Sequence, residues 1–168
     1  MSEVIRKAKE EDREQVEKLL FDNFGEMAVE RGALDEFPGC YTVSEEDGKV
    51  VAMSGIIGDN SLFDGYEVGW TCCDKEYRKQ GRVTRILKKC LDELPNNNIP
   101  VWCDSWKVRN KECNLKPVLD NLGFKLYMVN VMVYNKLFMK VCRTCPYKDE
   151  SQECHCVANL YKKERQNG

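Results

Sequence analysis

Residues Glu67 to Thr84 read EVGWTCCDKEYRKQGRVT, and they limit the fold more than any other stretch of the chain. Glu67 to Cys73 is a buried strand, Asp74 to Gln80 a loop of hydrogen-bond donors, and a helix starts after Gly81. Strand, tight loop and helix N-terminus in that order build an anion site. Backbone N–H groups converge there, and the helix dipole adds partial positive charge. Gly81 stands where the backbone must come close to a ligand, since a Cβ would obstruct the approach. The helix carries Val83, Ile86, Leu87, Cys90, Leu91 and Leu94 on one face, the spacing of an amphipathic helix. Arg82, Arg85, Lys88 and Lys89 occupy the other, with Arg78 and Lys79 just before them.

The rest of the chain supplies strands and helices around this unit. Val4 to Ala8 reads as a strand and Glu10 to Asn23 as a helix with Val16, Leu19 and Leu20 inward. Acidic residues crowd the first turn of that helix, as its dipole favours. Phe24 to Phe37 is a weaker helical stretch or loop. Cys40 to Val43 and Lys49 to Ile57 form a hairpin around Asp47-Gly48. Ile99 to Trp106 is a strand, Asn114 to Leu122 a short helix closed by Gly123, and Phe124 to Met128 and Asn130 to Lys136 the last two strands.

Size and charge narrow the function. A chain of 168 residues suits one domain and buries roughly two thirds of its unfolded surface. The net charge is −2, which disfavours nucleic acid and membrane surfaces as partners. No apolar run has membrane-spanning length, and MSEVIRKAKEEDREQ lacks the apolar core of a signal peptide. A soluble cytoplasmic protein is expected. The ten cysteines are then free thiols or metal ligands, not a disulfide framework.

Arg78-Lys79-Gln80-Gly81-Arg82-Val83 resembles the Q/R-x-x-G-x-G/A motif of the GNAT superfamily of N-acetyltransferases. Position one and the key glycine match, while Val83 replaces a small residue. The element order β, α, α, β, β, β, α, β, α, β, β over residues 4 to about 136, and Asn121-Leu-Gly-Phe-Lys125, are similar to the family as well. The resemblance implies an α/β (α+β) fold with a mixed, mostly antiparallel central sheet, splayed at the acyl-CoA site, and helices on both faces. It implies acetyl-CoA as co-substrate and direct transfer of the acetyl group to an amine. The backbone around Thr71, Cys72 and Cys73 would pair with pantetheine amides. The amides of Lys79 to Thr84 (Lys79, Gln80, Gly81, Arg82, Val83 and Thr84) would cradle the pyrophosphate, with Arg78, Lys79, Arg82 and Arg85 adding charge.

An alkylammonium titrates near ~10.4, so freeing its lone pair at neutral pH needs a base or a shifted pKa. Glu67 lies on the motif strand at the offset that the general-base glutamate holds in histone-acetylating relatives. A carboxylate in an apolar strand asks for a reason. The competing reading is that Glu67 sits at the strand start and reaches solvent. The tyrosine acid usual in the family is missing: Leu119 stands at that position. Tyr127 or a water are the remaining proton donors. Glu26, Glu30, Asp35 and Glu36 against one Arg31 predict a cationic acceptor, a small molecule or a peptide. The oligomeric state is left open.

From Cys142 onward the composition changes. Cys142, Cys145, Cys154 and Cys156 form C-x2-C followed by C-x-C, with His155 between the last pair. Four thiolates in a segment with little to build a core suggest a structural zinc site. Residues 1–140 are thus expected to be the acyltransferase domain and 141–168 a cysteine-rich tail. The alternative is a catalytically inactive GNAT fold whose cysteine tail binds metal and a nucleic-acid or protein partner.

Overall fold

The computed structural model describes residues 2–30, 32–60, 64–95, 97–107, 114–131 and 157–165. Strand β1 (Glu3–Lys7) leads through a single 3-10 turn (Glu10–Asp12) into α1 (Arg13–Phe24). The short α2 (Met27–Glu30) precedes the hairpin of β2 (Tyr41–Glu46) and β3 (Lys49–Asn60). Asp47 and Gly48 both hold positive φ, the backbone that a tight hairpin turn requires. Next come β4 (Gly65–Val68), β5 (Cys72–Cys73), α3 (Arg82–Asp92), β6 (Val101–Lys107), α4 (Lys116–Asn121), β7 (Lys125–Val131) and β8 (Val157–Lys163).

The strands form one sheet in the order β1-β2-β3-β4-β6-β8-β7, with β5 paired to β3. Only the β4–β6 pair is parallel among the described strands; the others are antiparallel. On one face Val16, Leu19 and Leu20 of α1 pack against Tyr41, Val43, Met53 and Cys72. On the other, Leu87 of α3 and Leu119 of α4 pack with Val68, Val101, Cys103, Phe124 and Tyr161. Ile86 and Cys90 of α3 cover Ala52 and Cys73. With helices on both faces, the expected mixed α/β fold is present.

The details depart from the sequence reading in three places. The expected single strand Glu67 to Cys73 is two short strands, because the chain leaves the ladder between Val68 and Cys72. The expected last strand from Asn130 to Lys136 is not separate: β7 runs through Asn130 to Val131, and residues 132–136 lie outside the described ones. The final strand is instead Val157–Lys163, inside the expected tail. It pairs with β6 along its whole length and with β7, and it buries Ala158, Leu160 and Tyr161. A division at 140/141 therefore does not follow the sheet. The apolar positions of VANLYKK suffice for a central strand, since partners on both edges satisfy its backbone. Val131 of β7 pairs with Ala158 of β8. Cys142, Cys145, Cys154 and Cys156 lie outside the described residues. Among the described residues no group of His, Cys, Asp and Glu could hold a metal ion.

Candidate active site

The sheet opens where β4 ends. Tyr66 and Glu67 of β4 lie level with Val101 and Trp102 of β6 in a parallel ladder. Beyond Val68 the two chains separate. Cys72 and Cys73 pair with Met53 and Ala52 of β3, and no strand among the described residues meets their other edge. Strand β6 meanwhile continues to Lys107 along β8. The result is a wedge closed at Glu67–Trp102 and open between residues 69–73 and 103–107. Backbone groups along an unpaired strand edge need partners, so the wedge suits an extended amide-bearing chain such as pantetheine.

At the end of that wall the chain turns into α3. Asp74 caps the intervening 3-10 turn (Lys75–Tyr77) by accepting from the Glu76 amide. Lys79 (φ 61°) and Gly81 (φ 75°) both adopt left-handed backbone, which directs successive N–H groups inward. Gly81 is the N-cap of α3, and no side chain caps that helix. The first-turn amides of α3 are thereby left for a ligand, as a pyrophosphate site needs.

The basic side chains of this loop do something different from the sequence expectation. Arg82 is buried and turns inward, bonding Glu46 and the Ser44 hydroxyl (3.2 Å), with Glu3 at 3.4 Å and its guanidinium over the Tyr77 ring. Arg85 donates to Glu3 (2.8 Å) and to the Gln80 carbonyl (2.9 Å). Arg78 donates to the Cys73 carbonyl (3.1 Å) and to Asn23 of α1 (2.8 Å). The arginines thus fasten the loop to β1, β2, β5 and α1. Lys79 is exposed beside the helix terminus. The buried network has a testable consequence. Arg82→Met leaves the Glu46 carboxylate without its cation, while Glu3 keeps Arg85, and is expected to cost about 3 kcal/mol of stability, read by denaturant unfolding.

Glu67 projects from the closed end of the wedge, half-buried. Burial, and secondarily the Asp104 carboxylate on β6, push its carboxyl up from 4.5 to about 7. A carboxylate that titrates near neutrality is suited to take a proton from an amine. Phe24, at the end of α1, packs edge-on against Trp70 (5.2 Å) and also against Trp106 (6.2 Å). Its ring therefore bridges the two walls of the wedge.

The structure places the other candidates as follows. Leu119 is fully buried in the apolar cluster with Leu87 and Phe124, so α4 offers no proton donor at that position. Tyr127 is mostly exposed and stacks edge-on against Trp102 at 5.1 Å. Cys72 and Cys73 are buried, and burial pushes the thiols of Cys40, Cys72, Cys73 and Cys90 up, which disfavours an acyl-cysteine route.

Known proteins agree with this architecture. The Acetyltransferase (GNAT) family matches residues 2–124. No curated protein matches the sequence. Among solved structures, a GNAT-family acetyltransferase from Bacillus cereus ATCC 10987 superposes with TM-score 0.68 at 13% identity, covering 99% of both chains. The ribosomal-protein-S18-alanine N-acetyltransferase from Escherichia coli gives 0.66 at 16% identity, covering 99% of this chain and 97% of that one. N-acetylglutamate synthase from Neisseria gonorrhoeae, complexed with coenzyme A and N-acetyl-glutamate, gives 0.61 at 14% identity, over 99% of this chain and 36% of that one. At such identities the likeness is one of fold.

Proposed function

Because the chain belongs to the GNAT family of acetyltransferases, we propose that it transfers an acetyl group from acetyl-CoA to a cationic amine with Glu67 as the general base. The observation that carries this reading is the wedge itself: Glu67 stands at its closed end, and the free edge of Cys72–Cys73 leads from there to the uncapped start of α3. Acetyl-CoA would supply the activated acetyl thioester. The backbone of Thr71, Cys72 and Cys73 would hold its pantetheine arm. The amides of Gly81, Arg82, Val83 and Thr84, with Lys79, would hold its pyrophosphate, and Arg78 and Gln80 would hold the loop in shape. Glu67 would take the proton that the attacking nitrogen must lose. The acidic residues Glu26, Glu30, Asp35 and Glu36 in the stretch after α1, against one Arg31, favour a positively charged acceptor. No helix among the described residues is long and apolar enough to cross a membrane.

Titration calorimetry with acetyl-CoA, followed by an amine panel, tests the proposal. Heat on acetyl-CoA addition and turnover of cationic amines are expected. Absence of binding would favour the inactive binding module, and turnover of neutral or anionic acceptors alone would remove the cationic assignment.

A structural zinc held by Cys142, Cys145, Cys154 and Cys156 is proposed from the chemistry of the donor set alone. Elemental analysis of protein purified without added metal is expected to give close to one zinc per chain. Ten freely titratable thiols and no metal would remove the site.

A further inference from the structure

We propose that Phe24 limits the length of the acyl group this chain can take: its ring caps the wedge where a longer acyl chain would have to continue, so acetyl is accepted and butyryl and longer chains are excluded. The inference deepens the reading of the wedge as the acetyl-CoA site and rests on it. That reading lays the pantetheine arm along the free edge of Cys73 and Cys72, starting from the N-terminus of α3. The thioester end of the arm then passes Thr71 and reaches the level of Trp70, and the acyl group lies there.

A chain longer than acetyl must go on from that point. Straight ahead the wedge is closed, because Tyr66 and Glu67 pair with Val101 and Trp102. On the α3 side Val68, Val101 and Cys103 pack with Leu87 and Leu119, and that face is filled. The α1 side remains. Successive residues of a strand point to opposite faces, so Glu67, next to Val68, looks toward α1. By the same alternation from Val101 and Cys103, Trp106 looks toward α1 as well. Trp70 and Phe24 pack against the core on that side.

On this face the Phe24 ring stands 5.2 Å from the Trp70 ring on one wall and 6.2 Å from the Trp106 ring on the other. Rings in direct contact have centres about 4.5–7 Å apart, and no methylene chain passes between rings packed that closely. The ring is also held in place. Gly25, with φ 70°, ends α1 directly after Phe24. Asn23, directly before it, donates to the Leu19 carbonyl (2.8 Å) and accepts from Arg78 (2.8 Å), which ties the end of α1 to the loop before α3. A longer acyl chain has to displace a ring that is anchored on both sides in sequence. The amine approaches from the same face nearer the closed end, where Glu67 stands.

The test uses acetyl-, propionyl-, butyryl- and hexanoyl-CoA with wild type, Phe24→Leu and Phe24→Ala. It reads kcat/KM with one alkylamine and, independently of any acceptor, the affinity of each acyl-CoA by calorimetry. Wild type should lose ~10-fold or more from acetyl to butyryl, the scale on which a filled apolar pocket discriminates methylenes. Phe24→Ala should raise the butyryl-to-acetyl ratio about 10-fold or more. Phe24→Leu, which keeps the end of α1 packed, should raise it less. Each result is a ratio within one variant, so a general loss of activity cancels. Wild type that takes hexanoyl-CoA as well as acetyl-CoA overturns the inference with no variant needed. A folded Phe24→Leu or Phe24→Ala with the wild-type ratio overturns it too, while leaving the wedge as the acetyl-CoA site. If wild type binds no acetyl-CoA, the parent reading and the inference fail together.

Discussion

Glu67→Gln should lower kcat at pH 7 by ~10²-fold or more, because the amide cannot take the proton that the acceptor nitrogen loses. Part of the rate should return at high pH, where the amine deprotonates without help. In the native enzyme, kcat/KM should rise as pH passes about 7, the value at which Glu67 becomes charged. The variant should lose that inflection. A kcat within a few-fold of wild type would reduce Glu67 to a structural carboxylate.

The same substitution should also stabilise the protein, which distinguishes a base from a group kept for the fold. The folded-state pKa of Glu67 is raised, so the protonated form is the better tolerated one. Its favourable contribution is full below about 4.5 and is lost as pH rises through about 7. Above pH 7 the native carboxylate therefore works against folding by up to about 3 kcal/mol, given the size of the shift. Glutamine has no charge to bury. Thermal unfolding at pH 8 should show Glu67→Gln above wild type, with the difference shrinking toward pH 5. Lower stability at pH 8 would mean that the carboxylate makes a structural contact worth more than its burial costs.

Much of this site could be read from the chain because local rules dominate there. The α3 periodicity and the Asp47-Gly48 turn depend on residues close in sequence, and the structure has both in place, with Gly81 at positive φ as the N-cap of α3. The parts that were not legible depend on partners far away. Arg82 looks like a surface cation from its position on a basic helix, yet Glu46 and Ser44 of β2 draw it inward. The separation of β4 from β5 is a pairing choice set by β3 and β6, and nothing in GWTCC announces it. Strand β8 follows a cysteine-rich stretch in the sequence, which hides it. Its burial comes from lying between β6 and β7, which only the sheet order reveals. The effect of Asp104 on Glu67 was not legible for a related reason: it acts from a neighbouring strand far away in sequence.

Gly81→Val should weaken acetyl-CoA binding by about 10-fold or more while the domain stays folded. The space around Gly81 is not the main obstacle. A Cβ there would come within 2.9 Å of the Arg85 guanidinium, the far end of a flexible side chain that can move. The backbone is the obstacle, because φ is 75° and a β-branched residue does not sit there without strain. Relief of that strain turns the first-turn amides of α3 away from the direction that Lys79 and Gly81 give them. Asparagine tolerates left-handed backbone, so Gly81→Asn separates the two effects. If backbone direction is what holds the pyrophosphate, Gly81→Asn should keep most of the affinity that Gly81→Val loses. If close approach is what matters, any Cβ blocks it and both variants should lose alike. Calorimetric affinities near wild type in both variants would place the phosphate site away from the start of α3.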